Sequence, residues 1–141
     1  GQAVIPVATE GLAHNFKHVI HTVPPFVKDR EWQLTLQQCY HSVLDIALSS
    51  DMEAVACPLL GSGCRGIPQI DAVAAAVEAL STYFINGSMH QEYGNHATLM
   101  ADGADVLVLR FGVIDDGLIP LFQRAFDESS VWEISHPTPI D

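Results

Sequence analysis

The sequence predicts an α/β fold, and three observations carry that prediction. Strand-like and helix-like stretches alternate along the chain. One strand candidate, "EAVACPLL", is nearly all apolar, as in a parallel sheet covered on both faces. Between it and the next helix lies "LLGSGCRGIP", residues 59–68, which puts Gly61, Gly63 and Gly66 at a strand-to-helix joint. Parallel strands joined by helices cross over right-handed, and their ligands gather at the carboxyl ends of the strands, where this loop lies.

Taken in order, "QAVIPVA" (residues 2–8) is a short strand candidate, and Pro6 removes one N–H, which suits an edge strand. "HVIHTV" (residues 18–23) is short and β-branched, a second strand that Pro24 and Pro25 end. In "EWQLTLQQCYHSVLDIALSS", Trp32, Leu36, Cys39, Tyr40, Val43 and Ala47 recur at three- and four-residue steps, one apolar face of a helix. After the glycine loop, Asp71 is placed to cap a helix whose Val73, Ala76, Val77, Leu80 and Phe84 share a face. Residues 86–103, "NGSMHQEYGNHATLMADG", are polar, turn-rich and long for a loop, with room for a short extra element. "ADVLVLRF" reads as another buried strand. Asp115 and Asp116 are placed to cap a final helix with Leu118, Ile119, Phe122, Ala125 and Phe126 inside. Pro120 falls in the first turn of that helix, where a missing N–H costs little. The tail "SHPTPID" is expected to be extended, and no internal repeat is present.

The chain has 141 residues, enough for one compact domain with one core. One domain is expected over residues 1–128, followed by an extended tail over residues 129–141. Hydrophobic residues make up 48% and charged residues 16%, a globular rather than a disordered balance. No apolar run approaches the ~20 residues of a membrane span, and no charged-then-apolar signal segment opens the chain. The first residue is Gly1, so the chain is expected to be a processed product, an engineered one or a piece of something longer.

Seventeen acidic and six basic residues give a net charge of −11. Lys17, Lys28, Arg30, Arg65, Arg110 and Arg124 are scattered, with no cluster to neutralise a phosphate backbone. That balance argues against nucleic acid and anionic membranes as partners. It leaves open a small anionic ligand held by backbone N–H groups. The three cysteines, Cys39, Cys57 and Cys64, have neither metal nor redox-motif spacing. A reducing, intracellular setting, cytoplasmic or nuclear, is the simpler expectation.

The glycine loop has a chemical reading and a purely steric one. A helix N-terminus carries unpaired N–H groups and about half a positive charge. Glycines let the preceding loop turn its own N–H groups toward one point and let a ligand approach closely. Together these favour a phosphate or diphosphate. The steric reading is a tight turn that needs glycine for geometry alone. The loop lacks the "GK[ST]" ending of a nucleoside-triphosphate loop. Gly61, Gly63 and Gly66 have the spacing of a dinucleotide motif, but a helix fills the stretch where its acidic strand end should follow.

The order of motifs adds a resemblance. "HVIHTVPP", then "LQQCYHSVLDIAL", then "EAVACPLLGSGCRGIP", then an Ala-rich helix resembles the macro domain family. That family reads "yVIHtvgP", "L..cY.n.L..A" and "siAfPlistGiyGfP" in the same order. "DVLVLRFGVIDDGLIPLFQRAF" looks like its closing strand and helix, so the resemblance covers most of residues 1–127. The resemblance implies a three-layer α/β/α macro-type fold with a mixed, mostly parallel sheet. It implies ADP-ribose, free or attached to protein, as the ligand, with no separate cofactor and no metal. By position, Gly61, Ser62, Gly63, Cys64, Arg65 and Gly66 match the loop that wraps the diphosphate and distal ribose. The backbone N–H groups of residues 62–66 would then donate to the diphosphate. Phe111 matches the end of the last strand, where the family often stacks an aromatic on adenine, a contact of ~1–3 kcal/mol; the alternative for Phe111 is plain core.

The sequence departs from the family pattern in two places. Arg65 stands where members often have Tyr or Phe against the distal ribose, and it would pair with a phosphate or point into solvent. The family's first strand, its adenine-contacting Asp and its "VNAAN"-like loop would all precede the segment that matches Gly1. The chain is therefore expected to hold the C-terminal two thirds of the family fold and to lack the first strand or strands. Some macro domains hydrolyse ADP-ribosyl esters or O-acetyl-ADP-ribose, and the absent loop would serve that reaction. No catalytic residue is assigned, and hydrolysis is not expected of this chain alone. The alternatives are a hydrolase when complete, or a degenerate macro fold that acts as an interaction module and associates through the missing-strand surface.

Other candidates read as structural. His18 and His21 point to opposite sides of a strand, which argues against a metal site with His14. His90 and His96 lie in the polar loop and are expected to face solvent. Cys64, near a helix N-terminus and beside Arg65, is the candidate nucleophile, although the family usually has an aliphatic residue there. Asp115, Asp116 and Asp71 are explained as helix caps.

Overall fold

A computed structural model of the chain describes residues 2–4, 16–83, 88–91, 96–100, 106–112, 116–129 and 134–135. In chain order its elements are β1 (Ala3–Val4), β2 (His21–Thr22), α1 (Trp32–Ser49), β3 (Ala54–Pro58), α2 (Gln69–Tyr83), β4 (Ser88–Gln91), β5 (His96–Met100), β6 (Val106–Gly112), α3 (Leu118–Glu128) and β7 (Ile134–Ser135). The described helices lie between strands, and β4, β5 and β6 follow one another directly. No described helix is long and apolar enough to cross a membrane.

The helices form where apolar residues return every third or fourth position. On α1, Leu36, Cys39, Tyr40, Val43, Leu44 and Ala47 are all buried. On α2 the stripe is Ala72, Val73, Ala76, Val77, Ala79 and Leu80; its alanines leave room for α1 on one side and α3 on the other. On α3, Leu118, Phe122 and Phe126 lie one turn apart along one face. Polar contacts seal the α1–α2 seam: Gln37 Nε2 donates to Thr82 Oγ1 at 2.7 Å, and the Tyr83 hydroxyl donates to Asp45 Oδ1 at 2.6 Å.

The helix ends differ from the sequence expectation. Asp71 lies inside the first turn of α2 rather than before it, because the first helical bond runs from the Ala72 N–H to the Pro68 carbonyl. Asp71 therefore faces the positive end of the helix as a charge, not as a side-chain cap. The cap position of α3 is Gly117, with no side-chain cap bond, and the Ile119 N–H donates to the Asp116 backbone carbonyl. Asp115 and Phe84 lie outside the described residues. α1 ends in a left-handed Asp51 (φ 52), which lets the Met52 N–H reach the Ala47 carbonyl at 2.9 Å.

Five strands form one sheet in the order β3-β6-β5-β4-β7, and β1 pairs with β2 in a separate two-stranded ribbon. β3 lies parallel to β6, with Val55 opposite Leu109 and Cys57 opposite Phe111. β4 and β5 pair antiparallel inside the polar stretch, β5 pairs antiparallel to β6, and β7 adds parallel to β4. The sheet is mixed as expected, but its parallel share stops at β3–β6 and β4–β7, because the β4–β5 pair reverses direction. Residues 134–135 of the expected tail belong to the sheet. The second strand is shorter than its β-branched run, with only His21 and Thr22 paired.

Among the described residues, the core lies on one face of this sheet. Leu107, Leu109 and Phe111 are buried and alternate with Val108, Arg110 and Gly112. The Phe111 ring meets Tyr40 of α1 and Phe122 of α3, and α2 packs between those helices, so the described helices share that face. On β3, Cys57 is buried whereas Ala54, Ala56 and Pro58 are exposed. The uninterrupted apolar run of β3 therefore does not mean cover on both faces: among the described residues, the face carrying Ala54, Ala56, Pro58 and Arg110 is open. Small side chains there tolerate exposure at low cost.

Candidate ligand-binding site

Two of the three loop glycines are demanded by the fold. Gly61 sits at φ +84°, and an added Cβ would lie 2.5 Å from Cδ1 of the buried Ile67. Gly66 sits at φ +83°, with Val27 Cγ1 at 3.2 Å from the same imagined atom. Both need the left-handed backbone that glycine adopts freely. Gly63 is different. Its φ is not in that region, and nothing lies within 4 Å of an added Cβ. The fold gives no reason for Gly63.

The loop's hydrogen bonds sharpen the point. The Leu60 N–H donates to the Tyr40 hydroxyl at 3.1 Å, the Gly66 N–H to the Gly63 carbonyl at 3.1 Å and the Ile67 N–H to the Gly61 carbonyl at 3.1 Å. The Ser62 N–H and hydroxyl both turn back to the Leu59 carbonyl, at 3.4 and 2.8 Å. Among the described residues, the N–H groups of Gly63, Cys64 and Arg65 donate to nothing. Three successive unpaired backbone donors in a solvent-accessible turn suit an anion. Ser62 and Gly66, expected among the donors, spend their N–H groups within the loop.

Two neighbours hold this turn in place. Tyr40 is 2% exposed, and burial keeps its hydroxyl well above the usual phenol range, so it stays neutral beside the Leu60 N–H. The residue 26–29 turn docks on the outside of the loop. The Phe26 N–H donates to Asp29 Oδ2 at 2.9 Å, and the Val27 N–H donates to the Arg65 carbonyl at 2.9 Å. The Arg65 guanidinium carbon sits 4.2 Å from the Phe26 ring centre, so the side chain packs on that ring while staying partly exposed. Sequence reasoning missed both Tyr40 and Phe26 as site residues. Tyr40 read only as one member of a helical stripe, and nothing around Phe26 signalled a contact 39 positions away.

Beside the loop, a cavity of about 370 Å³ runs between residues 16–22 and the β3 edge. Val19, Ile20, Val43 and Val55 line it, and its lining ends at Pro58 and Leu60, where the chain enters the glycine loop.

Comparison with known proteins identifies the family. The sequence pattern described as Macro domain matches residues 1–76, a stretch that contains the whole glycine loop. The chain belongs to the macro domain family. Among curated relatives, the non-structural polyprotein p200 of Rubella virus strain Therien is 33% identical over 99 residues, 66% of this chain and 5% of the polyprotein. The p200 polyprotein of strain BRD1 is 34% identical over 108 residues, 72% of this chain and 5% of its own length. The chain thus spans a small part of those relatives. Among solved structures, the Oceanobacillus iheyensis macrodomain with MES bound superposes with a TM-score of 0.66 at 18% identity, covering 89% of this chain and 57% of that one. The same macrodomain with ADP gives a TM-score of 0.65 at 18% identity, with 89% and 57% covered. A variant of it with ADPR gives 0.63 at 18% identity, with 89% and 58% covered.

Within this macro domain the other sequence candidates separate. Phe111 is 1% exposed, its ring centre 4.7 Å from that of Phe122 and 6.3 Å from that of Tyr40. Strand alternation puts it with Leu107 and Leu109 under the helices, so in this structure the ring belongs to the core and offers no face to a base. Cys64 is exposed in the turn, whereas Cys39 and Cys57 are buried, and all three are free thiols. Among the described residues, no group of three or more His, Cys, Asp or Glu is arranged to hold a metal ion.

Proposed function

We propose that this macro domain binds the diphosphate of ADP-ribose, free or attached to protein, through the N–H groups of Gly63, Cys64 and Arg65. The observation that carries the reading is the set of three successive unpaired donors in a turn whose central glycine the fold does not need. A ligand that approaches the backbone closely explains both. Backbone donors also suit a chain of net charge −11, because they attract an anion without a basic cluster. The ligand class comes from the family and from neighbours solved with ADP and ADPR.

Calorimetry with ADP-ribose tests the reading directly. The chain should bind, and Gly63→Val should weaken binding by about tenfold or more while the thermal midpoint stays within a degree or so. Gly63→Ala should weaken it less, since a methyl group intrudes less. Unchanged affinity in Gly63→Val, or no heat with the unaltered chain, would overturn the assignment.

A further inference from the structure

The five-stranded sheet ends at β3, and among the described residues nothing pairs with the outer edge of that strand. The Val108 N–H donates to the Glu53 carbonyl, which sets the alternation along β3. Glu53, Val55 and Cys57 turn their backbone groups toward β6, so Ala54 and Ala56 turn theirs outward. Among the described residues, those outward N–H groups and carbonyls make no hydrogen bond. β3 itself, Ala54–Pro58, carries no charged side chain to guard its edge.

The cavity of about 370 Å³ beside the glycine loop lies against this edge. Its lining takes consecutive residues on both walls, 54–58 of β3 and 18–22 opposite. A space above a sheet face touches every second residue, whereas one that touches them all runs along a strand edge. Residues 18–20 also lack a partner strand among the described residues. Buried Val43 of α1 and Leu60 lie on the core side of the space, and Ala54, Ala56 and Pro58 are exposed on the other.

We propose that the slot between β3 and residues 18–22 takes one extended strand of a partner polypeptide, β-branched and basic in alternation. A second backbone presents donors and acceptors at the roughly 7 Å repeat that Ala54 and Ala56 set, two residues at ~3.3 Å each. In such a strand every second side chain meets Val43 and Leu60, where Val or Ile fits, and the others lie on the open face. Charge selects those others. The chain carries −11, and Asp51 and Glu53 lead into β3, with Arg110 one strand further in, so Lys or Arg is attracted and Asp or Glu repelled. The same charge opposes a second copy as the occupant, and that copy's own β3 edge lies behind its residues 16–22. The docking is independent of the ligand at the glycine loop.

A capped octapeptide of alternating Lys and Val, added to the intact chain at low salt, tests the proposal. Amide exchange followed by NMR should slow at least about tenfold at Ala54 and Ala56. A Glu–Val peptide should bind at least about tenfold more weakly. The Lys–Val peptide N-methylated throughout keeps its side chains, has no backbone donors and should not bind. Ala56→Pro, which removes an outward N–H and leaves the β6 ladder intact, should weaken the Lys–Val peptide about tenfold. Binding without protection at Ala54 and Ala56 would put the peptide elsewhere and overturn the proposal. Slow exchange at those amides in the protein alone would mean that the chain fills the slot itself. Protection that grows with protein concentration, with a dimer mass by light scattering, would mean a second copy. Either result overturns the partner strand, as does no binding at all.

Discussion

Gly61 shows how much a single backbone angle can demand. At φ +84° a side chain is strained, and its Cβ would lie 2.5 Å from an Ile67 that is 1% exposed and has little room to retreat. Gly61→Ala should therefore destabilise the fold by about 1–3 kcal/mol, read as a lower denaturant midpoint, and Ile67→Val in the same chain should recover part of the loss. Gly63→Ala, by contrast, should leave that midpoint in place. Both glycines are legible in the sequence as part of one motif. Their different duties are not, because only the folded chain shows which one has a neighbour. The buried acids make a second residue-scale prediction. Burial pushes the Cys57 thiol from its ordinary 9.0 up to about 12, and it raises the Tyr40 hydroxyl well above its ordinary 10.0. In the unfolded chain both ionise at their ordinary values. The stability they contribute is thus fully present below about pH 9 and is lost as pH climbs toward the folded values, by up to ~1.4 kcal/mol per pH unit for each group. Urea denaturation at about pH 8 and about pH 10.5 should show the loss; equal midpoints would contradict it.

Helix existence follows from residue spacing at the scale of elements, and helix ends follow from local hydrogen bonds. α1 matched its apolar stripe almost to the residue, because buried positions every three or four residues leave no other regular structure. Its C-terminus was not legible, since an Asp rather than a Gly occupies the left-handed position. Asp51→Gly should relieve that strain and raise stability by about 0.5 kcal/mol, a thermal midpoint higher by a few degrees at most. A lower midpoint would mean that the carboxylate contributes more than the strain costs. The β4–β5 pair lies in the stretch that read as long for a loop, with room for a short extra element. "SMHQ" and "HATLM" are short and lack a clean apolar alternation, so local sequence does not announce them, and pairing with β6 makes them strands.

Charge and layering are properties of the whole molecule. A net charge of −11 on 141 residues works against compactness through self-repulsion. Raising ionic strength from about 0.01 M to about 0.15 M shortens the screening length from ~30 to ~8 Å, so the thermal midpoint should rise; a fall would show that attractive pairs outweigh the repulsion. The amino-acid sequence by itself determined the α/β class, the three described helices and the glycine loop at the end of β3, because each follows from local periodicity or local backbone freedom. The motif order was enough to point to the macro domain family. Tertiary structure alone decided that, among the described residues, β3 is covered on one face, Phe111 belongs to the core, and Gly63, Cys64 and Arg65 keep unspent donors. Only tertiary structure also brought Phe26 against Arg65. Those facts depend on which distant residues arrive at a given surface, and the pattern along one strand, one helix or one loop carries no record of its neighbours in space.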